Sequence, residues 1–232
     1  MKATRWPKPR GVTTASCRWD RSGAVAHIIE AAEIIRSGKL GKVSMARGWA
    51  YLDWLPSIGH VADCAPPATV DYDFWLGPAP LRPFNPNRFH FNFRWFWDYA
   101  GGLMTDWGVH LINMLEMGMP ADAPKTVSSC GGKFTFDDDS ETPDSQVTVY
   151  EFPTYQLVWE HRAGLNNGLN NRPWGVEWNG TEASIIVNDA GYEIITEKKR
   201  ANLDSVKKKG QGDPRPAHVR NFLDCEIGRA HV

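Results

Sequence analysis

The spacing of apolar positions changes repeatedly along the chain, and each change predicts a different kind of element. Between Ala24 and Arg36, Val25, Ile28, Ile29, Ala32 and Ile35 recur at helical spacing, and Gly38 follows as a stop signal. Val43, Met45, Trp49 and Tyr51 then alternate with small residues, which predicts a strand. A proline- and aromatic-rich excursion over residues 55–99 has no period. Stretches of that length usually serve a binding site or an interface. Gly101-Gly102 opens a helix from Leu103 to about Met117, closed by Gly118 and Pro120. Beyond it the period falls to two. Gln146–Phe152 and Tyr155–Arg162, joined at Pro153-Thr154, read as an antiparallel hairpin. After an Asn/Gly-rich loop (Ala163 to Arg172), short strands are predicted near Val176–Trp178, Ala183–Val187 and Tyr192–Thr196. Residues 197–216 are charged and loop-like, and His218–Cys225 begins a last helix. Helices first and consecutive strands later predict an α+β domain: a predominantly antiparallel sheet with helices on one face.

The central helix holds the best chemical signal. Leu103, Met104, Trp107, Val109, Leu111, Ile112, Met114 and Leu115 make it apolar around most of its circumference, which predicts that it is largely buried. Against that background Asp106, His110 and Asn113 fall at i, i+4 and i+7 and so share one face. A carboxylate one turn from an imidazole can orient the ring and hold its tautomer, which is equipment for a general acid/base near neutral pH. The same spacing also suits a satisfied core pair. Gly102 and Gly108 let another segment or a ligand approach the helix.

Arg94, Trp95, Trp97, Asp98 and Tyr99 lead into this helix. Arg94 can bond a substrate hydroxyl, a tryptophan can pack on a sugar's C–H face, and Asp98 can cap the helix; each also has a plain packing role. Glu160 and His161 must face opposite sides of their strand. Glu160 and Arg162 share a face and are expected to form an ion pair. His90 reads as structural, the Asn166-Asn167 and Asn170-Asn171 run as a solvated loop, and Lys207-Lys208-Lys209 as a solvated charge patch.

Composition narrows the function. The 232 residues are 42% hydrophobic and 23% charged, with 26 Lys plus Arg against 27 Asp plus Glu. Such a near-neutral chain without a basic block predicts no nucleic-acid or membrane partner. Eleven tryptophans suggest flat surfaces for a sugar face or a subunit interface. Cys17, Cys64, Cys130 and Cys225 are scattered and read neither as a disulfide framework nor as a zinc site. The basic, proline-rich Met1–Arg10 is followed by no apolar stretch of signal-peptide type.

The run WLGPAPLRPFNPNRFHFNFRWFWDYAGGLMTDWGVH, from Trp75 to His110, resembles the Gfo/Idh/MocA oxidoreductases, named after glucose–fructose oxidoreductase and inositol dehydrogenase. The marks are the Gly-Gly pair, D-x-G-x-H in the helix, and WLGPAP upstream. EIIRSGKLGKV (Glu33–Val43), ETPD (Glu141–Asp144), WEHR (Trp159–Arg162) and Gly180-Thr181 continue the resemblance in order, over about residues 24–225. It implies a two-domain enzyme: a Rossmann domain that binds NAD or NADP, then an α+β domain whose open sheet often mediates homo-oligomerisation. It implies also that His110 takes the proton from a sugar or cyclitol hydroxyl while Asp106 orients His110 or holds a neighbouring hydroxyl. Arg94, Trp97, Asp98, Tyr99 and Asn113 are then the candidate substrate contacts, with no metal ligand expected.

The sequence departs from the family pattern in places. No G-x-G-x-x-G follows an early strand, the family's Glu-Lys-Pro segment with its lysine is missing, and Ala183 stands where a glycine is usual. The expected organisation is therefore a poorly defined remnant of the preceding domain at 1–23 and a C-terminal substrate and oligomerisation domain at 24–225. Residues 226–232 are expected to be an artefact, because Ile227–Val232 reads as the translation of a sequencing-library adapter. The isolated chain is expected neither to bind NAD(P) tightly nor to turn over substrate. Three other readings stay open: an NAD-assisted glycoside hydrolase of the same fold, a metal-dependent hydrolase or isomerase, and a non-catalytic sugar-binding or assembly module.

Overall fold

The computed structural model describes residues 26–119, 123–197, 204–210, 213 and 215–226. The expectations for residues 1–23 and 227–232 lie outside them. Helix α1 (Ala26–Arg36) buries Ala31, Ala32 and Ile35 along one stripe. Gly38 ends its last turn at φ 77°, a conformation that costs a residue without Cβ little. Strand β1 (Met45–Leu52) starts two residues later than the alternation predicts.

The excursion contains helix α2 (Tyr72–Leu76), capped by the Asp71 carboxylate on the Phe74 N–H, and 3-10 turns at Pro86–Arg88 and His90–Trp95. Helix α3 spans Gly102–Gly118. Then come β2 (Thr126–Gly132), β3 (Ser145–Glu151), β4 (Gln156–Ala163), β5 (Trp174–Asn179), β6 (Ala183–Asn188), β7 (Gly191–Thr196), β8 (Val206–Lys209) and helix α4 (Arg215–Glu226).

The eight strands form one sheet in the order β2-β3-β4-β1-β5-β6-β7-β8. Every neighbouring pair is antiparallel except β1 and β4, which run parallel with Gly48 opposite Trp159. A parallel pair needs a crossover connection, and α3 lies within it. The α+β expectation holds, with two additions. Thr126–Gly132 carries no apolar alternation yet forms an edge strand, exposed over nearly all its length. Lys207–Lys209, expected as a solvated loop, lies in edge strand β8, where Lys208 bonds the Glu30 carboxylate. Charged edge strands resist pairing with other chains.

Helices α1 and α3 pack on one face of the sheet. Gly48 on β1 and Gly108 on α3 let the helix and the sheet approach closely. A methyl group at Gly48 would sit 3.3 Å from Leu115, and one at Gly108 would sit 3.4 Å from the Trp159 ring. Trp159, Trp178, Leu111, Leu115, Ile185 and Val187 form the middle of this core, all within 2% of full burial. On the opposite face Trp49, Tyr51 and Ile186 make a smaller buried cluster under Leu169, pinned by the Trp49 indole N–H on the Arg172 carbonyl at 2.8 Å.

Candidate active site

The start of α3 is fixed by the segment carrying ETPD. The backbone N–H groups of Glu141 and Thr142 both donate to the Trp95 carbonyl, at 2.8 and 3.2 Å. Gly102, at φ 63°, lies against Thr142 so closely that a methyl group there would come within 2.6 Å of the hydroxyl. Asp144 accepts from the backbone N–H groups of Phe134, Thr135 and Phe136. The Pro143 carbonyl lies 3.1 Å from His161 Nε2, and the Trp159 indole N–H donates to His161 Nδ1 at 3.2 Å. The Trp159 bond makes Nδ1 the acceptor, so Nε2 carries the proton to Pro143. Burial holds His161 down to about 4, against which the Pro143 bond and the Asp144 charge act more weakly. In this fold ETPD and WEHR are therefore the tie between the loop before α3 and the sheet.

Helix α3 is not largely buried, contrary to expectation. Its buried residues are Gly102, Leu103, Gly108, Leu111, Leu115 and Gly118, one stripe facing the sheet. Val109 is 55% exposed, and Met104, Trp107, Ile112 and Met114 are half-buried on the flanks. The count of apolar residues overstated burial because several of them border the stripe rather than enter it. Asp106 lies at the border with its side chain 30% exposed, and His110 and Asn113 are exposed. The three do share an edge of α3, but it is open surface. Two cavities lie nearby. The smaller is walled by Trp95, Leu103 and the 138–144 segment; the larger, about 360 Å³, is walled by Arg82, Asn85, Arg88, Asp63, Asp139 and Glu141. Asp106 and His110 line neither.

Among the expected substrate contacts, Arg94 reaches Asp106. Its Nε lies 3.5 Å from the Asp106 carboxylate, its Nη1 donates to the Phe91 carbonyl at 2.8 Å, and its guanidinium stacks 4.4 and 5.0 Å from the rings of Phe91 and Phe93. Trp97 is 59% exposed and bound at both nitrogens to Glu141, through its backbone N–H to the carboxylate and its indole N–H to the carbonyl. Asp98 does not cap α3. Its carboxylate is taken by Arg82 at 2.8 Å, which also holds Glu141, while Gly101 occupies the cap position and donates its N–H to Thr105 Oγ1. Tyr99 packs edge-on against Trp75, and burial, with the Tyr72 hydroxyl beside it, pushes its phenol up to about 12. Asp98 and Tyr99 thus shape the excursion. His90 is exposed at φ 49° with its ring against Phe89.

The Glu160–Arg162 ion pair does not form. Tyr51 stands between them, its hydroxyl donating to Glu160 at 2.5 Å and its ring lying under the Arg162 guanidinium at 5.2 Å. Among the described residues no group of three or more His, Cys, Asp or Glu is placed to hold a metal ion. No helix among them is long and apolar enough to cross a membrane. No strand–glycine-turn–helix cradle for a pyrophosphate occurs among them either, so the described part of this chain does not fit a dinucleotide by itself.

Residues 30–129 match the Gfo/Idh/MocA family model described as "Oxidoreductase family, C-terminal alpha/beta domain". No curated protein matches the chain. Among solved structures, levoglucosan dehydrogenase in complex with NADH and levoglucosan is 16% identical, aligned over 94% of this chain and 57% of that one with a TM-score of 0.57. The aldose-aldose oxidoreductase of Caulobacter crescentus complexed with glycerol is 15% identical over 88% and 51%, with a TM-score of 0.58. An oxidoreductase domain protein from Kribbella flavida is 15% identical over 88% and 53%, with a TM-score of 0.56. At such identities the likeness is one of fold, and this chain spans about half the length of the structures it matches. The resemblance read from the motifs stands for the C-terminal domain of these oxidoreductases.

Proposed function

We propose that this Gfo/Idh/MocA-type C-terminal domain supplies the substrate-binding and proton-transfer half of an NAD(P)-dependent oxidoreductase acting on a sugar or cyclitol hydroxyl. The observation that carries the reading is the exposed edge of α3. Asp106 and His110 lie there one turn apart, and Arg94 is anchored on Asp106 at 3.5 Å. An open edge is what a half-site closed by another domain presents. His110 accepts the hydroxyl proton, Asp106 with Arg94 holds the neighbouring hydroxyl, and Asn113 contacts the substrate from the next turn. A nicotinamide supplies hydride acceptance when bound, and its pyrophosphate is held outside the residues described above.

The organisation expected from the sequence belongs to the same proposal. Residues 24–225 form the substrate and oligomerisation domain, and the isolated chain neither binds NAD(P) at micromolar affinity nor turns over substrate. The sheet face opposite α1 and α3, with Val158, Glu160, Arg162 and Ile195 in its strands, packs against a second copy. Light scattering of the purified chain tests that contact, and a monomer at every concentration rules it out.

The test of function is steady-state NAD(P) reduction by the whole protein over a panel of sugars and cyclitols. His110→Ala is expected to lower kcat about 10²- to 10⁴-fold with the fold intact. Unchanged turnover in that variant sinks the assignment. The open edge also suits a non-catalytic sugar-binding module, which would show sugar affinity unaltered by His110→Ala and Asp106→Ala and no reduction of cofactor.

A further inference from the structure

Trp54, just past β1, and Phe91, in the turn before α3, are 52% and 49% exposed although both are large and apolar. Their rings meet edge to face, with centroids 6.3 Å apart. Phe91 in turn carries the Arg94 guanidinium, whose Nε is the group that reaches Asp106. The Arg94 Nη2 amino group makes no hydrogen bond among the described residues, so its donors are open to a ligand. Trp54, Phe91, Arg94 and Asp106 therefore form an unbroken row of contacts ending one turn from His110.

The row has mixed chemistry. An apolar partner would cover the two rings but strand the guanidinium donors and the carboxylate, which is costly. An anion would meet Asp106, and a cation would meet Arg94. A pyranose ring suits all of it, since its C–H face packs on aromatic carbon while its rim of hydroxyls takes up guanidinium donors and carboxylate acceptors. Arg94 is held by the Phe91 carbonyl, by two rings and by Asp106, so little ordering remains to be done on binding.

We propose that Trp54, Phe91 and Arg94 form a second sugar subsite beside the Asp106–His110 edge. The substrate is then a glycoside of at least two rings, with the reacting ring at His110 and its neighbour on the aromatic shelf. The placement of the reacting ring rests on the oxidoreductase reading; the shelf itself is tested separately.

The experiment titrates this chain with glucose, cellobiose and maltose, followed by saturation-transfer NMR and tryptophan fluorescence. At least one disaccharide is expected to bind about tenfold more tightly than glucose. Trp54→Ala and Phe91→Ala are each expected to bring the ratio to about one, while Trp54→Phe, which keeps an aromatic face, retains part of it. Circular dichroism of each variant shows that the fold persists, and Trp54→Phe carries the test should an alanine variant unfold. Disaccharide affinity no better than that of glucose, or a preference that survives both alanine variants, overturns the subsite, as does an absence of binding by all three sugars. No disaccharide preference in the parent protein, with His110-dependent turnover intact, counts against the shelf alone. A shelf-dependent preference in a protein whose turnover ignores His110 counts against the oxidoreductase reading alone.

Discussion

The two histidines His110 and His161 occupy opposite kinds of place. His161, on β4, is 1% exposed, with the Trp159 indole on one ring nitrogen and the Pro143 carbonyl on the other. His110 stands on the open edge of α3, one turn from Asp106. A histidine whose two nitrogens are both engaged in the core is a structural tie, since neither is free to exchange a proton with a ligand. His110, by contrast, is exposed to solvent on its helix, the place the proposed proton transfer requires. The difference teaches that helical spacing fixes which face a pair of residues shares, while burial depends on what packs against that face: it is found at His161 and not, as predicted for α3, around His110.

Exchanging the roles gives the largest test. In the whole protein His110→Ala should remove activity by the factor given above and shift the unfolding free energy by less than about 0.5 kcal/mol, as an exposed substitution does. His161→Ala should do the reverse. It empties a core site and orphans the Trp159 N–H and the Pro143 carbonyl, with an expected loss of about 2–4 kcal/mol in denaturant unfolding. Activity lost in both variants at equal stability would erase the distinction. The neighbouring Trp159, fully buried against Gly108, should cost about 3–5 kcal/mol as Trp159→Ala.

A pH titration sharpens the same contrast. The folded state holds His161 at about 4, well below the ordinary value of 6.5. Between these values the unfolded chain takes up a proton that the folded chain refuses. The contribution is thus complete above about pH 6.5 and falls as the pH drops toward 4, by about 3 kcal/mol in all. Asp138 acts in a lower window. Burial pushes its carboxyl up, but hydrogen bonds from Lys133, Ser140 and the Ile58 N–H outweigh this and bring it down to about 2. Its contribution is therefore present above the ordinary 3.8 and lost only as the pH falls toward 2. Unfolding free energies measured from pH 7 to 4 should slope downward in the parent and flatten in His161→Gln; an unchanged slope refutes the assignment.

The parts of the fold set by local period were legible in the sequence. α3 lies within one residue of its predicted ends, and the β3–β4 hairpin turns at Pro153-Thr154 as the alternation requires. The parallel pairing of β1 with β4 joins residues more than a hundred positions apart, and no local period encodes it. β2 and β8 were missed because exposed edge strands bury nothing on either face, so their sequences need no alternation. At the candidate site the Asp106–His110–Asn113 edge follows from helical spacing alone, and its exposure does not. The work of Asp144 was also hidden, because its partners are three backbone N–H groups that exist only once the 134–136 turn has formed. Asp98 looked like a cap by position, but Arg82, sixteen residues upstream, takes its carboxylate.

The smallest expected effect lies on the other face of the sheet, where the side chains of Glu160 and Arg162 flank His161 in sequence but point away from it. There Tyr51 replaces the ion pair expected between Glu160 and Arg162, donating to the one and lying flat beneath the other. Burial, then the Glu160 bond and charge, push the Tyr51 phenol up to about 12, so the hydroxyl stays a donor at neutral pH. Tyr51→Phe keeps the ring under Arg162 and removes only the bond to Glu160. The expected loss is about 1–2 kcal/mol, the low end for a hydrogen bond to a charged acceptor because Glu160 is only half-buried. Tyr51→Leu removes the ring as well and should cost more, since the guanidinium loses its aromatic surface and the Trp49–Ile186 cluster loses a neighbour. A loss in Tyr51→Phe as large as in Tyr51→Leu would mean that the Glu160 bond, and not the stacked ring, organises this face.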